Sequence, residues 1–130
     1  MQKKWLDEDN GSDIAVFVVW SPQLGAEIKH VAEAAELIPD PRARHYWDGD
    51  MVIGGQYQAL LHPDGKELTL GSPAWDVWLL FGPDVRWDGD QAPKPTWWEH
   101  QLRGMPEDVK LDPERFAEKA AQLRGASATE

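Results

Sequence analysis

The longest apolar run in the chain, Ile14-Ala-Val-Phe-Val-Val-Trp20, ends abruptly on Ser21-Pro22. It is far shorter than the ~20 residues a membrane-crossing helix needs, but it has the length and β-branching of a strand. Because it is continuous rather than alternating, it predicts a strand buried on both faces, the pattern of parallel α/β sheets. The period then changes. Leu24, Ile28, Val31, Ala35 and Ile38 recur in steps of four and three, which predicts a one-faced helix. Ser21 is placed to cap it, Pro22 suits a first helical position, and Pro39 and Pro41 end it.

The same reasoning carries along the chain. Arg42–Trp47 reads as a second strand parallel to the first, and Asp48-Gly49-Asp50 as a turn. Met51–Leu61 reads as a short helix, against a cost of about 1 kcal/mol each for Gly54 and Gly55. Ala74–Phe81 is the second apolar run and a strand, Gly82-Pro83-Asp84 a turn, and Val85–Trp87 a returning antiparallel strand. Gln91–Pro95 is a proline-rich linker, and Thr96 caps a short amphipathic piece, Trp97–Leu102. Asp112 with Pro113 opens a helix reaching Arg124, closed by Gly125, after which the tail is expected to be disordered. This order, β–α–β–α–β–β–α, predicts an α/β sandwich with a mixed central sheet of about four strands and flanking helices. The expected division is a polar lead over 1–12, one domain over 13–103, and a C-terminal helix and tail over 104–130. The lead lacks the apolar core and cleavage site of a signal peptide, so a cytoplasmic location is expected.

Three features resemble the thioredoxin-like superfamily over about residues 13–90. Trp20 precedes Ser21-Pro22-Gln23-Leu24, where thioredoxins carry a tryptophan followed by Cys-x-x-Cys. Ser72-Pro73 precedes the strand Ala74–Phe81, where they place a cis-proline. Phe81-Gly-Pro-Asp-Val85 resembles the hairpin turn that follows. The wording His45-Tyr-Trp-Asp-Gly49 with Pro73–Phe81 is also similar to small uncharacterised bacterial thioredoxin-like proteins. The departure is decisive for chemistry. The chain has no cysteine, Ser21 and Leu24 standing where the thiols would be, so dithiol exchange is excluded.

Composition removes further classes. A formal net charge of −10 argues against nucleic-acid or anionic-membrane binding, both of which need a basic surface. Ser21 has no Gly-x-Ser-x-Gly around it and no motif tying it to His30, His45, His62 or His100. The histidines lack the spacing of a helical metal site, so neither a metal nor a cofactor is expected. Trp47-Asp-Gly-Asp50 recurs as Trp87-Asp-Gly-Asp90, which is good turn chemistry and too poor in oxygen ligands for a calcium loop. Eight tryptophans cannot all fill so small a core; most are expected to cover it, and exposed ones would form a protein-binding patch or stack on a sugar ring or cationic ligand.

The resemblance therefore implies a non-redox binding or adaptor module. Its groove would be lined by Trp20, Ser21, Pro22, Pro73 and Trp75, and rimmed by Trp97 and Trp98. The partner would be a protein or peptide, and a homodimer is compatible with the sequence. Trp20→Ala is then expected to weaken binding without unfolding the domain. Two alternatives stand beside this reading: a serine-based, glutathione-dependent or other non-thiol enzyme using Ser21, and a structural subunit of a larger assembly.

Overall fold

A computed structural model of the 130-residue chain describes residues 5–7, 13–61, 74–101 and 107–128. They form a mixed α/β structure with three α-helices and two sheets of two strands each. The single mixed sheet expected from the sequence is thus split into a parallel pair and an antiparallel pair. The chain gathers into two compact units, Met1–Val52 and Ile53–Glu130.

The first unit is a β–α–β arrangement. Strand β1 (Val16–Trp20) pairs in parallel with β2 (Ala43–Trp47), in a register that sets Phe17 beside Arg44 and Val19 beside Tyr46. The expected parallel pairing is therefore present. The expected helix from Leu24 to Ile38 is mostly not. Two 3-10 turns, Gln23–Gly25 and Ile28–His30, lead into a helix α1 of only five residues, Val31–Ala35. The reason is in the backbone. Leu24 and Gly25 have φ of 55° and 80°, and Ala26 and Glu27 are extended, so no helix can run through them. Leu24 is 92% exposed as a result. Ser21 is not a helix cap either, since Pro22 takes the cap position and no side chain caps that turn.

The core of this unit comprises Trp5, Leu6 and Val16. Arg42 ties it together, its guanidinium gripping Asp40 at 2.8 and 2.9 Å and donating to the Leu6 carbonyl at 2.9 Å. After β2 the buried Asp48 accepts the Val52 N–H at 2.9 Å. Gly49 is required in this turn, since a Cβ there would sit 2.7 Å from the Trp47 indole nitrogen.

Helix α2 (Val52–Leu60) carries the chain into the second unit and contains the glycine pair. Strand β3 (Val77–Leu80) pairs antiparallel with β4 (Trp97–His100). The expected returning strand at Val85–Trp87 is instead loop, and the piece read as amphipathic and capped by Thr96 is the true partner strand. The Thr96 N–H donates to the Leu80 carbonyl, extending that ladder. Helix α3 (Pro113–Ala128) starts where expected, with Asp112 Oδ1 accepting from the Glu114 and Arg115 N–H groups. It runs through Gly125 rather than ending there.

Two packed groups hold the second unit. Tyr57, Leu61 and Ala74 gather Ile53, Val77, Leu79, Ala92 and Trp98, while Phe116 and Ala120, one helical turn apart, bury α3. The Phe116 ring meets Trp78 edge-on at 5.2 Å. No helix among the described residues is long and apolar enough to cross a membrane.

Candidate functional site

Of the residues assigned to a groove, Trp20, Ser21 and Pro22 lie at the end of β1 in the first unit, whereas Trp75, Trp97 and Trp98 belong to the second. Pro73 lies outside the described residues. Trp97 and Trp98 are committed to packing. The Trp97 indole donates to Glu99 at 3.0 Å and its ring is covered by Lys119 Nζ at 4.6 Å and Arg115 at 5.7 Å, a favourable cation–π arrangement. Trp98 packs on the Tyr57 cluster.

Trp20 is half-buried and engaged. Its indole N–H donates to His45 Nδ1 at 3.0 Å, with the two rings nearly parallel and their centroids 6.0 Å apart. An indole nitrogen only donates, so Nδ1 is the acceptor and the ring proton sits on Nε2. There it faces the Ile38 carbonyl at 3.2 Å. Both nitrogens of His45 are thus used, and the His30 Nδ1 accepts the Glu27 N–H at 2.9 Å. Among the described residues no hydrogen bond joins the Ser21 hydroxyl to His30, His45 or His100. Nor do the described residues bring together three histidines or carboxylates able to hold a metal. Trp20→Phe, which keeps an aromatic ring and removes the donor, is expected to cost about 1 kcal/mol. It should also free His45 to exchange tautomers, visible in the imidazole nitrogen shifts by NMR.

The open face of the parallel pair is the feature the sequence reading missed. Val16 is buried and Val18, Trp20, Ala43, His45 and Trp47 are half-buried, so one face of the sheet is covered. On the other face Phe17 is 61% exposed, Tyr46 46% and Val19 39%. Phe17 and Tyr46 lie with ring centroids 6.3 Å apart. Parallel sheets are ordinarily covered on both faces, and large contiguous apolar exposure marks interaction surfaces. A signal was available in β2, where exposed Arg44 and Tyr46 alternate with Ala43, His45 and Trp47. The parallel register then assigns Phe17 and Val19 to the same open side.

Comparison with protein-family models, curated proteins and solved structures finds no match to this chain.

Proposed function

We propose that this chain is a non-catalytic protein-binding module, which recognises a partner protein or peptide through its first unit. The observation that carries the reading is the exposed face of Phe17, Val19 and Tyr46. In sequence β1 is followed by Ser21-Pro22 and the exposed Leu24, where the thioredoxin-like resemblance expects a groove. That relationship remains part of the proposal. It is supported by a parallel β1–α1–β2 unit followed by an antiparallel pair and a closing helix. A subunit of a larger assembly would use the same surface.

The test is a Phe17→Ser, Tyr46→Ser double variant. Both side chains are exposed, so circular dichroism and thermal midpoint should stay close to wild type. A partner cross-linked in the host lysate is identified, purified and titrated against both proteins. Loss of an interface aromatic anchor costs about 2 kcal/mol or more, so the variant should bind at least ~30-fold more weakly. Equal affinity for the two proteins would overturn the reading.

A further inference from the structure

The open face coincides with an open edge. In a parallel ladder each residue sends its N–H and C=O to the same side, and successive residues alternate sides. The Val16 N–H donates to the Arg42 carbonyl at 3.2 Å, and the Trp20 carbonyl accepts from the Asp48 N–H at 2.8 Å. Val16, Val18 and Trp20 therefore face β2. The N–H and C=O groups of Phe17 and Val19 point the other way, where no further strand pairs with β1 among the described residues. The outer edge of β2 is less free, because its Ala43 N–H already donates to the Asp40 carbonyl at 2.9 Å. Thus Phe17 and Val19 offer unpaired main-chain groups in the plane of the sheet and apolar side chains above it.

We propose that the partner is engaged by strand addition. A basic, extended segment of another protein hydrogen-bonds along the outer edge of β1 and sets alternate apolar side chains against Phe17 and Val19. This rests on the binding-module reading and specifies its mode. Main-chain bonds give affinity in such complexes, and alternate side chains give selectivity. Charge selects the occupant. The chain carries −10 overall, and residues 1–52 hold five Lys or Arg against ten Asp or Glu. A second copy would bring the same charge to the edge, whereas a basic segment is steered toward it. Arg44 does not oppose this, since the added strand lies two strand spacings, roughly 9–10 Å, from β2.

The probe is a synthetic heptapeptide alternating lysine and valine, titrated against the full chain by tryptophan fluorescence, with amide exchange followed by NMR. Saturable binding is expected below about 1 mM. The Phe17 and Val19 amides should gain protection, while those of Val16 and Val18 change little. A glutamate–valine peptide should not bind. Two N-methylated versions test the ladder directly. Methylation at the valines should weaken binding about tenfold or more for an antiparallel strand, and methylation at the lysines for a parallel one. Val19→Pro removes an outward donor without touching the β1–β2 ladder, and should abolish binding; the methylated peptides decide the matter if that variant does not fold. Binding that survives both methylated versions but is lost in Phe17→Ser overturns strand addition and leaves the binding face standing. No binding by the lysine–valine peptide overturns the basic-strand inference, while the double variant above still decides the face.

Discussion

Glu99→Ala is expected to destabilise the chain by about 2–3 kcal/mol, the cost of losing the charge-assisted hydrogen bonds of a buried carboxylate whose partner Arg115 is itself partly exposed. Glu99 is fully buried on β4, at 0% exposure. Its Oε1 accepts from Arg115 Nε at 2.7 Å and from the Trp97 indole at 3.0 Å, and its Oε2 accepts the Asp112 N–H at 2.7 Å. One carboxylate thus ties β4 to the first turn of α3, where the helix dipole also favours negative charge. The bond to Glu99 raises the Arg115 guanidinium above its ordinary value, more than its own desolvation lowers it. Alanine would strand three donors together. Urea denaturation should show the loss, with a thermal midpoint lower by about 10 °C. The double replacement Glu99→Leu, Arg115→Met should cost less than Glu99→Ala alone, because it removes both charges. A loss below about 1 kcal/mol for Glu99→Ala would show that the carboxylate does not hold the helix in place.

The contrast between α3 and β4 shows what was legible in the sequence. The start of α3 could be read because capping is local: Asp112 serves N–H groups two and three residues ahead. Strand β4 could not, because its two most buried residues are Glu99 and His100, the reverse of what a hydrophobic pattern predicts. The group that makes Glu99 tolerable inside, Arg115, lies sixteen residues further on. The helix expected over Leu24–Ile38 failed for a different reason. Its four-and-three spacing was real as a pattern, but the left-handed pair Leu24-Gly25 and the extended Ala26-Glu27 break the backbone before periodicity can act. The apolar run of β1 was read as a strand correctly. That one of its faces is open depends on how few neighbours the sheet has, which composition does not encode. For the same reason the sequence pattern did not single out that open face. Of the tryptophans, Trp20 is held by His45 and Trp97 by Glu99, Arg115 and Lys119, while Trp87 is 45% exposed. On the parallel pair the exposed residues are Phe17, Val19, Arg44 and Tyr46.

Alkaline titration should expose the other anchor of the second unit. Tyr57 on α2 is 4% exposed, and its hydroxyl donates to the Pro93 carbonyl at 3.0 Å. Gln56 beside it donates to the Asp90 carbonyl, so neighbouring residues of α2 pin the proline-rich loop. Burial pushes the Tyr57 phenol up to about 12 from 10.0. The neutral phenol is the form the fold prefers, and ionisation would both bury a charge and remove the donor to Pro93. Its contribution is therefore intact below pH 10, where the phenol is neutral in the folded and unfolded chain alike. It is lost as pH rises from there through about 12, and the full loss is about 2–3 kcal/mol. Tyr57→Phe separates this from the general rise in negative charge. At neutral pH the variant should be about 1 kcal/mol less stable, because the hydrogen bond to Pro93 is gone. Above pH 10 its stability should fall less steeply than that of the wild type, so the two curves converge and then cross. Parallel curves across that range would mean that the phenol ionises without cost, and that the hydroxyl is not held between α2 and the loop.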